Sequence, residues 1–385
     1  MMGSSLGLMT NGNGIFYAPM ARDLNILRGS ISLHTTFMSL AKDFTALTVP
    51  RVVDRFGLKK TITFGVLLAT LATLLMGFVT HTFSFYVLGV LRGVGSNYFS
   101  LVSMAMILNR WFDKKNGLAI GLASGTSGII DVIAAPVLSS IIHAYGWRMA
   151  FIGKSIFILV LVLPAILYPF SLDPEDDGLL PYGYEKKRDQ DITRRSQIKQ
   201  ISTTNFIFIA LIIFSFLNTL VLFMNSHFPG FGESVGLTPE TASLMLSGVM
   251  VGNLVWKAFF GVLSDKIGSI PASISMLTVS SLALLSLTFL RHPVPLILGS
   301  FFLGTSFSIS GVALPVISNE FFGPIIGAKV YSKLNFISGI GGAFGVGLTG
   351  FIFDFTGSYI PAFVMGLSFN IINGILLVIA QRKHD

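Results

Sequence analysis

The sequence predicts an all-α membrane protein, with twelve transmembrane helices in two pseudo-symmetric six-helix halves. Three observations carry this prediction. Of 385 residues, 52% are hydrophobic and 11% charged, where soluble chains carry about 25% charged residues. Apolar runs recur along nearly the whole chain, each close to the roughly 20 residues that cross a bilayer as helix. A charged motif after the second run returns after the eighth.

In order, the apolar runs fall at 1–20, 30–50, 61–80, 84–108, 117–142 and 147–170, then at 206–226, 240–263, 270–290, 294–318, 327–352 and 358–380. Backbone in hydrocarbon must satisfy its own hydrogen bonds, and runs of this length choose helix over barrel. Between the sets lies "SLDPEDDGLLPYGYEKKRDQDITRRSQIKQISTTN", Ser171 to Asn205, too charged to cross. The chain therefore divides into 1–170, a central loop 171–205, and 206–385. Met1 already lies in apolar sequence with no basic anchor before it. The first helix is thus expected to be N-terminally truncated by about ten to twenty residues. No small-residue cleavage pattern follows it, which argues against a signal peptide.

Orientation follows from Lys and Arg. One side collects Arg51, Arg55, Lys59, Lys60, Arg110, Lys114, Lys115, Lys186, Lys187, Arg188, Arg194, Arg195, Lys199, Lys266, Lys329, Arg382 and Lys383; the other has Arg22, Arg28, Arg148 and Arg291. The positive-inside rule places the central loop and C-terminus in the cytoplasm. The net charge of +8 belongs to these anchors, forms no basic face, and gives no reason to expect nucleic acid. There is no Cys, so thiol chemistry and Cys-ligated metal are excluded. The six His are scattered without metal spacing or a nucleophile–base motif. No enzyme, cofactor or metal site is expected.

The repeated motif is Asp54-Arg55-x-Gly57 in "PRVVDRFGLKK" and Asp265-Lys266-x-Gly268 in "GVLSDKIGSIP", each at the loop-side end of the second helix of its half. Repeated halves are the architecture of many secondary transporters. At these residues the chain resembles the major facilitator superfamily, whose loop between helices two and three carries Asp-Arg-x-Gly-x-Lys-Lys; here it runs from Asp54 to Lys60, with Pro50 in place of the leading Gly. "NRWFDKKNGLAIGLASGTSG" with "YGWRMAF" resembles the monocarboxylate-transporter and oxalate–formate-antiporter branch, and "NGNGIFYAP" and "DPEDDGLLPYG" fit it too. The resemblance implies a transporter that rocks two bundles about a central site. Asp54, Arg55, Gly57, Lys59, Asp265, Lys266 and Gly268 would form its cytoplasmic gate, an ionic cluster made in one state and broken in the other. Plain surface anchoring explains Lys59 and Lys60 well, but explains the repeated Asp-basic-x-Gly poorly.

Lys42, Arg92, Lys154, Lys257 and Lys333, with Asp43 and Asp131, fall inside apolar runs. Centring a charge in a bilayer costs about 3 kcal/mol, so such residues face a partner, a cavity or water. On a helical wheel Ser32, Thr35, Thr36, Ser39, Lys42, Asp43, Ala46 and Pro50 share an arc of about 120°, against Leu33, Phe37, Leu40 and Phe44. Asp131 shares a face with Gly117, Ser124, Ser127, Gly128, Ala134 and Ala135, against Leu122, Ile129 and Ile133. Gly117, Gly121 and Gly125 form a small-xxx-small ridge for close helix contact. Lys154 is expected to snorkel outward or pair locally. Asp131 departs from the related branch, where this region carries no carboxylate.

The resemblance implies that Lys257, just before "FFGVLSD", sits where oxalate–formate antiporters place a basic residue that binds the substrate carboxylate. Lys in place of Arg loses the bidentate fork. Lys333 is the nearest counterpart of their second Lys, a turn too early. Lys257, Arg92 and Lys42 are the candidate substrate-binding residues. Asp43, Asp131 and Lys333 are candidates for proton coupling or for ion pairs, Asp43 with Lys42 or Lys333 and Asp131 with Lys257. The excess of buried positive charge favours an anion. The expectation is a monomeric carrier of a mono- or dicarboxylate, working with a proton or counter-anion. The alternatives are proton-driven efflux, which the 35 Phe would suit, and a non-transporting sensor built on a transporter fold.

Overall fold

The computed structural model describes residues 1–112, 116–168, 171–184 and 206–384, with the side chains of 11, 116–118, 120, 121, 124, 324, 325 and 328 outside the description. Lys114, Lys115, the basic residues from Lys186 to Lys199 and most of the predicted central loop lie outside the described residues. Among the described residues the structure is helical, with one isolated bridge between Phe112 and Tyr182.

Twelve helical spans follow the predicted order. Eight described stretches are long and apolar enough to cross a membrane, and one of them, Gly125–Leu167, doubles back at Gly146 to make spans five and six. Spans one, two and four are shorter or interrupted. Span one comprises a π-helical turn Gly3–Leu8, a 3-10 turn Asn11–Asn13 and the helix Gly14–Leu24. Span two is Arg28–Ala46 continued by Val49–Phe56, and span four is Thr82–Asn97 continued by Leu101–Trp111. Both of the latter were expected as single helices. The break in span four has a local cause. Ser100 donates to the Asn97 side chain at 3.2 Å and Ser103 to the Tyr98 carbonyl at 2.7 Å, offering the backbone an alternative to helix.

The remaining spans are Leu58–Met76 (three), Phe206–Ser234 (seven), Pro239–Ile267 (eight), Ser269–Phe289 (nine), Pro293–Gly323 (ten), Lys329–Thr356 as the core of eleven, and Ile360–His384 (twelve). Gly57 (φ 83°) and Gly268 (φ 89°) each turn one span directly into the next. The positive φ is one that glycine adopts without steric cost. The glycine of the repeated motif is therefore a turn, made the same way in both halves.

Spans two and four pack closely because Gly89 and Gly93 leave room for the carbonyls of His34 and Met38; spans eight and ten do the same where Gly252 meets Phe301 and Gly304. Gly252→Val should force that contact apart. Overpacking costs about 1–3 kcal/mol or more, and a lowered unfolding temperature in detergent is the expected readout.

The two halves meet along spans two and eleven, five and eight, and one and seven. In the first pair Gly29 abuts Gly350, Ser32 and Thr36 donate to the carbonyls of Val346 and Ala343, and Phe44 reaches Phe336. In the second, Ser139 donates to Pro239 O and Ser247 to Val132 O, and Gly128 lies against Leu254. The contact then ends. Gly125, one turn nearer the loop side on span five, and Gly261, two turns past Leu254 on span eight, have open space where a side chain would project. The predicted ridge is thus not a packing surface at Gly125, while Gly117 and Gly121 fall where side chains are not described.

The wheel assignments agree with the observed burial at most described positions, with Pro50 of the inward arc exposed and Leu33 and Leu40 of the outward side half-buried. Ser32, Thr35, Thr36 and Asp131 are buried, while Phe37, Phe44, Leu122, Ile129 and Ile133 are exposed.

Candidate functional site

The interrupted first span sets the site. Its sequence, "LMTNGNG", mixes Gly and Asn into an apolar run, and both are poor helix formers. Asn13 bends back so that its amide donates to the carbonyls of Met9 (2.8 Å) and Thr10 (3.2 Å). Span seven breaks at the equivalent place, in the 3-10 turn Met224–His227, and the two breaks touch where Gly14 meets the Ser226 carbonyl.

On the loop side of this junction lie three charges. Lys42 is half-buried and donates to the Thr10 hydroxyl at 3.2 Å, which itself donates to Ser5 O. Asp43 fits against Gly339, which has no room for a side chain there, and its Oδ2 is buried without a hydrogen-bond partner among the described residues. Lys257 is half-buried, and no described residue pairs or hydrogen-bonds with it. Its Cε and Nζ lie 3.1 and 3.4 Å from where a Cβ on Gly311 would stand, beside the π-helical turn Ile309–Ala313. Such turns concentrate at functional sites. Leu254, Lys257 and Gly261 share a helix face at i, i+3 and i+7 spacing, so Lys257 sits where the contact between spans five and eight gives out.

The other predicted residues are placed elsewhere. Lys333 is exposed, with Nζ 5.4 Å from the Phe208 ring, and does not meet Asp43. Asp131 is 3% exposed with its carboxylate against Gly7 of span one, and makes no ion pair with Lys257. Arg92 is fully buried behind span one. It donates to Met9 O (3.3 Å), to Asn13 Oδ1 (3.1 Å) and to Met76 Sδ (3.3 Å). Lys154, expected to snorkel outward or pair locally, is instead fully buried and donates to the same Asn13 Oδ1, far away in sequence, at 2.9 Å. Its ammonium lies 5.0 Å from the Phe16 ring, a cation–π contact in place of a watery exit. Asp54, Arg55, Gly57, Lys59, Asp265, Lys266 and Gly268 are all exposed, and none of the charged ones takes part in a described ion pair.

The face opposite the loop is closed by residues that sequence reasoning did not single out as a site. Arg22 pairs with Glu233 at 2.8 Å, from one half to the other. The carboxylate of Asp354 accepts from the backbone N–H groups of Arg28 and Gly29 at 2.9 and 2.6 Å, capping the start of span two. The Arg28 guanidinium lies over the Phe353 ring at 4.1 Å and donates to Tyr359 at 3.0 Å. Beneath them Tyr17 donates to Thr35 at 2.8 Å and packs between the rings of His34 and His227. The signal available in the sequence was the Gly- and Asn-rich interruption at matching places in the two halves, which marks broken helices at a binding region.

Comparison with known proteins bears on this geometry. The model of the Major Facilitator Superfamily matches residues 1–234 and 207–385. Bovine (Bos taurus) monocarboxylate transporter 13 is 27% identical over 326 residues, spanning 82% of this chain and 72% of its own. Multidrug resistance protein 2 of Bacillus subtilis (strain 168) is 26% identical over 341 residues, covering 87% and 82% of the two chains. The oxalate:formate antiporter of Oxalobacter formigenes is 27% identical over 296 residues, covering 69% and 66%. Among solved structures, the nucleoside transporter NupG superposes with a TM-score of 0.75 at 14% identity, over 98% of this chain and 99% of that one. The inward-open xylose transporter XylE of E. coli gives 0.68 at 15%, over 96% and 94%. At these identities the structural likeness establishes the twelve-span, two-half fold.

Proposed function

This integral, multi-pass membrane chain belongs to the Major Facilitator Superfamily, and from that premise we propose that it carries a mono- or dicarboxylate across the cytoplasmic membrane by alternating access. The moving bodies are 1–170 and 206–385 of a monomeric carrier, with the central loop and C-terminus in the cytoplasm. The Lys and Arg asymmetry supports this orientation. The described state is then closed outward at Arg22–Glu233 and Arg28–Tyr359 and open inward past Lys257. The gate residues Asp54, Arg55, Lys59, Asp265 and Lys266 stand apart in this state and pair when the loop side closes.

The observation that carries the substrate class is Lys257, a half-buried ammonium with no partner among the described residues, about 15 Å along the helix from Ile267 at 1.5 Å per residue. An ion in that position calls for a counter-charge, and a carboxylate supplies one. Lys42 offers the second cation. Asp43 is assigned the coupling proton: its Oδ2 has an empty hydrogen-bonding position, and protonation there removes the negative charge beside Lys42. Asp131 is the second candidate. The names of the monocarboxylate and oxalate:formate relatives agree with an anionic substrate.

Purified protein in liposomes should accumulate labelled mono- or dicarboxylates when a pH gradient is imposed, and exchange them in counterflow. Asp43→Asn should abolish gradient-driven accumulation while keeping counterflow. Retained accumulation would remove Asp43 from coupling. The multidrug-resistance relative supports a second reading, proton-driven efflux, which predicts movement of apolar cations or drugs and none of carboxylates. Binding without counterflow would point to a sensor.

A further inference from the structure

We propose that Arg92 and Lys154 are positioning residues: they clamp the break in span one and through it hold Lys42 in place for the substrate. The inference rests on the carboxylate-transport reading for its functional half only. Breaking a membrane helix frees carbonyls, and in hydrocarbon each unmet polar group costs several kcal/mol. Residues 9–13 gather the donors that meet them. Met9 O accepts from Arg92 and from the Asn13 amide, Thr10 O accepts from Asn13, and Gly12 O accepts from Lys154 at 3.5 Å. Asn13 Oδ1 takes one hydrogen bond from each cation. Spans four and six thus converge on one five-residue interruption of span one.

The chemistry separates this cluster from a substrate site. Both cations are fully buried, and a carboxylate that must enter and leave needs a wet path to them. Their positive charge faces carbonyl oxygens at the end of a half-helix, where cations are favoured and anions are not. The Asp131 carboxylate of span five lies against Gly7, on the short segment of span one that precedes the break. Two cations against one carboxylate leave a net positive charge, which the oxygen acceptors of residues 9–13 face.

The link to function runs through Thr10. It lies between the clamped carbonyls, its own carbonyl is held by Asn13, and its hydroxyl accepts the Lys42 ammonium. Fixing residues 9–13 fixes Thr10, and Thr10 accepts the hydrogen bond that orients Lys42 among the described residues. Loss of the clamp should loosen the substrate's second cation without touching Lys257.

Hydrogen exchange across residues 1–24, read by mass spectrometry, tests the clamp without any transport. Arg92→Met and Lys154→Met should each speed exchange at 9–14 by about tenfold or more, as for a locally opened segment, while Arg92→Lys and Lys154→Arg restore most of the protection. In liposomes the Met variants should raise KM about tenfold with kcat within about threefold, the pattern of weakened ground-state binding. Thr10→Ala should reproduce the KM change with exchange at 9–14 nearly unaltered. Unchanged exchange in the Met variants overturns the clamp, and an unchanged KM in Thr10→Ala overturns the link to Lys42. If the Met variants fail to fold, Arg92→Lys decides, since a guanidinium that binds substrate directly would show loss of kcat/KM with exchange intact. Absence of any carboxylate transport by the wild type sinks the transport reading and leaves the exchange result to stand or fall alone.

Discussion

Lys257→Ala is expected to abolish carboxylate uptake while the protein still reaches the membrane and purifies as a monodisperse species. The ammonium is half-buried and makes no hydrogen bond or ion pair among the described residues, so in the proposed mechanism a bound anion would be its main strong interaction. Truncating one member of a desolvated charge pair costs about 2–5 kcal/mol, which corresponds to a loss of roughly 30- to 5,000-fold in kcat/KM. Folding should suffer little, because no intramolecular bond is lost and the site lies at the edge of packing. Lys257→Arg should retain part of the activity through charge, although the guanidinium must find a new seat beside Gly311. Initial rates of labelled oxalate, formate and lactate uptake into matched liposomes measure this directly. Wild-type rates in Lys257→Ala would take the residue out of the site and with it the main support for an anionic substrate.

Cross-linking the side opposite the loop should stop turnover altogether. A Cβ on Gly230 would stand 3.8 Å from Cβ of Ala18, the mean separation in disulfides. The chain has no cysteine of its own, so Ala18→Cys with Gly230→Cys introduces the only reactive pair. The nearer obstacles at position 230 are the Tyr359 hydroxyl and the Arg28 guanidinium, both at the ends of side chains that can give way. Oxidation should hold spans one and seven together and leave the protein open only toward the loop. Turnover should fall by at least about 100-fold, as for a carrier denied one of its two states, and a reductant should restore it. Each single cysteine should remain active after oxidation. Full activity in the oxidised pair would mean that the halves do not separate at this seam.

Much of the architecture was legible because it depends on local chemistry. Apolar run length set the twelve spans, and the Phe/Leu stripe opposite Lys42 and Asp43 gave the correct buried face. The Asp-basic-x-Gly repeat located two equivalent turns. Lys154 shows where local reasoning ended. Seven residues past Trp147 it reads as a snorkelling lysine, yet a carbonyl freed by Gly12 and the side chain of Asn13, over 140 positions away, draw it inward. Arg92 differs in the same way: its position in span four was plain, but the destination of its guanidinium was not.

What the sequence determined, then, is which segments leave water, which faces they turn to lipid, and that ionised groups must be accommodated between them, since hydrophobic run length and periodicity are properties of single helices. The tertiary structure alone decided which charges are consumed by the fold and which stay free. Arg92 and Lys154 donate to Met9 O, Gly12 O and Asn13 Oδ1, acceptors that span one presents where it breaks, whereas Lys257 falls where spans five and eight part. Hydrogen bonds between distant segments are set by how helices pack, and no window of sequence contains both partners.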